Sequence, residues 1–280
     1  MSHETPHELS TDAPLECLNC GTPLHGEYCS SCGQAAHEGR HPTIAHFGHE
    51  LVHEFVHVDG KIFRTLKALL FQPGLLTQEY WKGRITPWIR PLRIFLIVVA
   101  LNLLIVHDKV GPMNFQVGVY EDAKGKRDVE INTQGTAPRN RKDLVPVAEH
   151  ERHEFANNFR TAYSSIRYFS VLFYTLGVWL LFRRRQPFIV NQLVASFHTY
   201  SFWYVMAAVG GRVELLKVPA AFLVAVYMFL SVRRLYGHGW KRTTFESVLL
   251  IVWLSLIELV LAFTAAVMVE HGWIFNLGGH

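Results

Sequence analysis

The chain has 280 residues, half of them hydrophobic and 13% aromatic with only 18% charged, too apolar for an average soluble domain and long enough for a bundle of membrane spans. Its net charge of +4 sits mostly beside apolar runs, as anionic lipid and the positive-inside rule favour. No dense basic stripe interleaved with aromatics occurs outside those flanks, so no nucleic-acid partner is expected.

The start, residues 1–16, is polar and is expected to be disordered. It has neither a basic n-region nor an apolar h-region, so no cleaved signal peptide is expected and the head should stay in the cytosol. All four cysteines follow together, as Cys17-Leu-Asn-Cys20-Gly and Cys29-Ser-Ser-Cys32-Gly. In each unit backbone amides can point at two thiolates while Gly21 or Gly33 takes the left-handed conformation that tightens the turn. Two units supply four sulfurs for one tetrahedral Zn2+, and a cytosolic setting argues against the alternative of two disulfides. Residues 17–34 are therefore expected to be a minimal zinc ribbon. So small a unit cannot bury a core, and the metal must supply its folding energy. With every position filled by sulfur, the single zinc per chain would be structural.

Residues 35–90 are expected to form a linker and interfacial amphipathic helices. His46, His49, His53 and His57 share one arc of a helical wheel, with Glu50 and Glu54 beside them and Phe47, Leu51, Val52, Phe55 and Val56 opposite. Two overlapping H-E-x-x-H strings lie here, His49 to His53 and His53 to His57. Histidines four apart can grip one metal while the glutamate activates its water. His49, His53 and His57 are thus a possible second metal site, against a plain polar edge at the lipid surface. Past Gly60, the apolar face of Ile62, Phe63, Leu66, Leu69 and Leu70, opposed by Lys61, Arg64 and Lys67, suits the head-group boundary until Pro73-Gly74 breaks the helix. Tyr80, Trp81 and Trp88, with Lys82, Arg84, Arg90 and Arg93, mark the cytosolic entrance to the first span.

Five spans are expected, over 91–107, 165–182, 191–210, 215–232 and 247–269. The polar stretch 108–164 is expected to be a periplasmic loop holding a β-hairpin, because Phe115, Val117 and Val119, then Val129 and Ile131, alternate around Asp122-Ala-Lys-Gly125. Its end, from Val147 to Tyr163, reads as a polar helix leading into the membrane, with His150, His153 and Glu154 as weak metal candidates. Arg183-Arg184-Arg185, Arg233-Arg234 and Lys241-Arg242 mark inside loops. The expected fold class is an all-α polytopic membrane protein, its amino terminus cytosolic and its carboxyl terminus periplasmic. Within lipid, Glu258 is costly unless protonated or paired, and His198 and Asn102 are its candidate neighbours. Arg167 and Lys217 are expected to reach the interface from span ends.

The first hundred residues resemble an uncharacterised family of bacterial membrane proteins, classified as a domain of unknown function. The likeness rests on the C-x-N-C-G…C-x-x-C-G-Q run from Cys17 to Gln34 and on H-x-D-G-K-x-x-R-T-L-K-x-L-L-x-x-P-G from His57 to Gly74. It continues with T-x-E-Y-x-x-G-R from Thr77 to Arg84 and P-x-R from Pro91 to Arg93. The resemblance implies a cytosolic ribbon ahead of transmembrane helices and implies no reaction; the tandem H-E-x-x-H is not part of it.

The function expected from these readings is that of a non-enzymatic protein of the bacterial inner membrane, whose partners are the bilayer and another protein docked on the ribbon. Two alternatives compete with it. One is a proton or divalent-metal transporter using Glu258 and His198. The other is a membrane zinc metallopeptidase at His53-Glu54-x-x-His57.

Overall fold

The computed structural model describes residues 16–36, 60–106, 116–121, 127–132, 145–146, 149–210 and 214–271. The histidine-bearing stretch with His49, His53 and His57 lies outside them. Two short helices, α1 (Lys61–Phe71) and α2 (Leu75–Trp81), precede α3 (Pro91–Val106). An antiparallel hairpin follows, of β1 (Gln116–Glu121) and β2 (Arg127–Asn132), with β3 (Val145–Pro146) on the other edge of β1. Its register pairs Val117 with Ile131 and Val119 with Val129, the residues whose alternation signals the hairpin. The rest is helical: α4 (Glu149–Ile166), a 3-10 turn (Arg167–Phe169), α5 (Ser170–Phe182), α6 (Ile189–Gly210), α7 (Lys217–Tyr236) and α8 (Trp240–Glu270).

Three helical runs are long and apolar enough to cross a membrane: Phe155–Phe182, Val218–Tyr236 and Trp240–Glu270. Their outward surfaces are apolar, with Phe173, Phe222, Val252 and Phe263 all more than half exposed. A continuous apolar exterior of this kind is stable against lipid and unstable against water. Helix α3 is shorter, but Leu101 and Leu104 are exposed in the same way.

Helix α6 is the hub of the bundle. It contacts α1, α2, α3, α5 and α7, and Gln192, Val194, Ser196, Tyr200 and Ser201 have no exposed surface. A helix surrounded by protein need not be apolar, and α6 keeps its hydroxyls satisfied internally: Ser196 donates to the Gln192 carbonyl at 2.9 Å and Ser201 to the Phe197 carbonyl at 2.7 Å. Around it, Phe95 meets Phe197 with ring centroids 5.0 Å apart, and Phe202 stacks on Tyr227 of α7 at 3.9 Å.

On the other side of the bundle, α8 packs against both α4 and α5. Phe159, Ala162 and Tyr163 of α4 bury against Ala262, Ala265 and Ala266 of α8; three alanines in register let the backbones approach closely. Lower down, a Cβ on Gly177 would sit 2.2 Å from Trp253 Nε1, whose N–H instead donates to the Phe173 carbonyl at 3.2 Å. The α4 packing lengthens the second apolar run upstream. It therefore corrects the expectation for Arg167, which lies mid-run at 3% exposure rather than at a span end facing the interface.

Candidate functional site

The four cysteines form two equivalent knuckles. In the first, the Gly21 amide donates to the Cys17 carbonyl at 2.8 Å; in the second, the Gly33 amide donates to the Cys29 carbonyl at 2.9 Å. Gly21 and Gly33 both take the left-handed conformation, with φ of 77° and 73°, which closes each turn behind its sulfurs. All four thiols are free rather than bridged, and their sulfurs lie within 4.8 Å of one another. Cys17 and Cys32 are 3.6 Å apart and Cys20 and Cys29 3.5 Å. Sulfurs placed about 2.3 Å from a tetrahedral centre stand about 3.8 Å apart, so the cluster is compatible with a four-sulfur metal site. Without a metal the thiols are unequal. Burial pushes Cys17 up to about 11, while the Thr22 hydroxyl and amide draw Cys20 down to about 6. At Cys32 burial acts upward, but the Gln34 amide, Asn19 and Cys17 outweigh it and leave the thiol lowered. A metal must displace the Cys17 proton to bind there.

This module is clamped to the helical body by the residue after the second knuckle. Gln34, 2% exposed, donates from Nε2 to the Gly83 carbonyl at 2.7 Å. Its Oε1 accepts from the Ile85 and Thr86 amides, each at 3.3 Å, and from the Thr86 hydroxyl at 3.0 Å. Leu18, inside the first knuckle, covers Gly83: a Cβ there would meet Leu18 Cδ1 at 2.5 Å, and Gly83 has φ of +76°. Only glycine suits both constraints. Glu79 holds the same turn, with an oxygen 3.5 Å from Lys82 and another 3.5 Å from Arg84.

The receiving turn is fixed to the bundle in its own right. Trp81 Nε1 donates to the Asn191 carbonyl of α6 at 2.9 Å and its ring meets Tyr236 edge-on at 5.8 Å. Tyr236 donates to Gln192 Oε1 at 2.6 Å. Thr65 Oγ1 accepts from the Ile89 amide at 3.2 Å, tying α1 to the approach to α3. Gly74, at φ of 75°, brings the chain against Ser231 of α7, and Arg234 donates to the Pro73 carbonyl at 3.1 Å. The four-cysteine module, the turn at residues 83–86, α1 and the bundle thus form one connected hydrogen-bonded path.

The polar residues expected to neighbour one another inside the bundle are separated. Asn102 Nδ2 donates to the Tyr204 carbonyl at 3.1 Å. His198 Nδ1 lies 2.8 Å from Thr77 Oγ1 of α2, an interhelical tie. Glu258 accepts a short hydrogen bond from Tyr163 through Oε2, with Arg167 and Ser170 as its further electrostatic neighbours. The expectation that His198 and Asn102 surround Glu258 is corrected accordingly: its partners come from the α4 to α5 junction. A second buried acid escaped sequence reading altogether. Glu246, near the start of α8, holds His238 Nδ1 at 2.6 Å and Arg242 Nε at 2.8 Å. The i, i+4 spacing of Arg242 and Glu246 was its only sequence signal.

These features define a class: a membrane-embedded helical bundle carrying a clamped, amino-terminal four-cysteine module. Residues 59–102 match a family profile described as "Protein of unknown function (DUF3667)", the stretch that holds α1, α2 and most of α3. No curated protein and no solved structure matches the chain.

Proposed function

We propose that this is a non-enzymatic protein of the bacterial inner membrane in which a zinc-loaded cytosolic ribbon serves as a fixed docking or regulatory platform. The observation that carries this reading is the Gln34 clamp. A ribbon used as a tethered recognition arm needs no such attachment, whereas this one is bonded through a buried amide to the turn that leads into α3. Cys17, Cys20, Cys29 and Cys32 would hold the zinc. Filled by four thiolates, the ion supplies folding energy to the knuckles and has no open position for substrate.

In this reading five helices cross the bilayer. Helices α3 and α6 join the three longer apolar runs, α6 shielded by its neighbours, and the amino terminus faces the cytosol. The exposed ribbon surface, including Tyr28 at 64% exposure, is offered to a protein partner, while Phe63 and Phe71, 81% and 75% exposed on α1, enter the head-group region beside Lys61, Arg64 and Lys67. The test is a topology map with metal analysis. Alkaline phosphatase fusions should be inactive when joined within the ribbon and active when joined after residue 271, and the purified protein should carry one zinc. A periplasmic ribbon, or no bound zinc, removes the proposal.

A further inference from the structure

We propose that the junction of α4, α5, α6 and α8 is a binding site for a singly charged oxyanion, a carboxylate or phosphodiester, held by the Arg167 guanidinium and admitted together with a proton on Glu258. The site is built from side chains that the fold buries with fewer well-formed hydrogen bonds, among the described residues, than their polar atoms can make. Arg167 Nε and Nη2, Ser170 Oγ, Tyr200 Oη, Tyr204 Oη and Glu258 Oε1 make no bond of ordinary hydrogen-bond geometry, although Ser170 stands within interaction range of both tyrosines and of Glu258. Their residues are 3%, 0%, 0%, 1% and 1% exposed. One such orphan is tolerable; several converging from four helical segments, one of them a guanidinium, are not stable in a dry interior.

The identity of the orphan atoms selects the ligand. Aromatic rings already flank the guanidinium, its central carbon lying 5.3 Å from the Tyr168 ring centroid and 5.2 Å from that of Tyr204. That leaves the in-plane edge, and Nε with Nη2 is the parallel pair of N–H groups that takes two oxygens of one carboxylate or phosphate side-on. Ser170, Tyr200 and Tyr204 add three hydroxyl donors. Donors therefore outnumber the single orphan carboxylate oxygen, so the fitting occupant is rich in acceptors. One cation calls for one negative charge.

Glu258 sets the condition for entry. The titratable and charged groups facing it are Tyr163 from α4, Arg167 from the 3-10 turn, and Tyr200 and Tyr204 from α6; Ser170 from α5 adds a hydroxyl. If Glu258 kept its charge, it would repel the anion from a guanidinium for which it is the nearby countercharge among the described residues. A proton on its free Oε1 removes that repulsion and creates one more donor. Arg167 opens a 3-10 turn interrupting an otherwise α-helical run, the kind of local irregularity found at functional positions in helices.

The test uses the full chain in dodecyl maltoside, which contains no phosphate, with acetate as the probe in saturation-transfer NMR. Acetate should bind saturably and more weakly at pH 7 than at pH 6, by up to about tenfold, the limit for one proton taken up per anion. Arg167→Met should abolish binding while Arg167→Lys weakens it; thermal unfolding of both variants identifies any that fail to fold, and the lysine variant then carries the comparison. Glu258→Gln should bind acetate with the pH dependence lost. Competition by short-chain phosphatidylglycerol assigns the oxyanion to a lipid head group, and its absence assigns it to a soluble carboxylate; either keeps the site. No saturable acetate binding, binding undiminished in folded Arg167→Met, or an unchanged pH slope in Glu258→Gln overturns the proposal.

Discussion

Replacing Gln34 by alanine isolates the attachment of the four-cysteine module from its folding. The substitution deletes four hydrogen bonds and strands the Gly83 carbonyl and the Ile85 and Thr86 amides. At a net ~1 kcal/mol per bond, discounted for the two at 3.3 Å, the docked state should lose about 3 kcal/mol, roughly a hundredfold in its equilibrium against the undocked state. Amide hydrogen exchange in nanodiscs reads this directly. Peptides covering residues 83–86 should lose protection while peptides in α6 and α8 keep it. Because all four thiolates remain, zinc content should stay at that of the unmodified protein. Gln34→Glu should fall between, since a carboxylate accepts the same amides but cannot donate to Gly83. Unchanged exchange at 83–86 would refute the clamp; loss of zinc in Gln34→Ala would show that docking and metal binding are one event.

Other outcomes follow from the same geometry. Gly83→Ala forces a side chain into the left-handed region against Leu18, costing about 1–2 kcal/mol for the backbone alone, and Leu18→Ala should recover only the steric part in a double-mutant cycle read by hydrogen exchange. Cys32→Ser should eliminate bound zinc by elemental analysis and release the module from residues 83–86. Zinc affinity should rise with pH between 6 and 8, since the metal competes with the proton on Cys17, held at about 11; a flat competition titration against a chromophoric chelator would contradict this. Gly177→Ala should overpack the α5 to α8 contact by about 1–3 kcal/mol and shift tryptophan emission as Trp253 is displaced. Glu246→Ala should leave His238 buried without its partner and lower the thermal midpoint in detergent, whereas Arg242→Ala, removing a largely exposed partner, should change it little.

Some of this was legible from the chain and some was not, for physical reasons. Paired C-x-x-C-G units announce themselves because a four-sulfur site would fix both residue type and spacing, and the left-handed glycines follow from that spacing. Apolar runs of membrane length are equally plain in α7 and α8, and alternation marks the hairpin in which Val117 pairs with Ile131. Gln34 was visible only as the last letter of a resemblance: its partners lie some fifty residues away, and no local periodicity points to Gly83. Arg167 reads as a span-end residue because the apolar run in the sequence begins beside it. The helix is extended upstream by Phe159 and Tyr163 packing on alanines of α8, and no pattern within α4 alone reveals that. Glu258 stood out as an acid in lipid, but its partners were sought on α3 and α6, whereas the tyrosine that bonds it sits in what reads as a polar approach.

If α6 crosses the bilayer as proposed, its encirclement also constrains how the chain is made. A segment carrying Asn191, Gln192, Ser196, His198 and Ser201 would be poorly tolerated by hydrocarbon if released sideways on its own. It follows α3 and α5 in synthesis and precedes α7, so during biogenesis it must wait beside its predecessors, or within the insertion machinery, until the next helix closes over it. Truncations ending between α6 and α7 should therefore be cleared by membrane quality control, whereas the finished bundle persists.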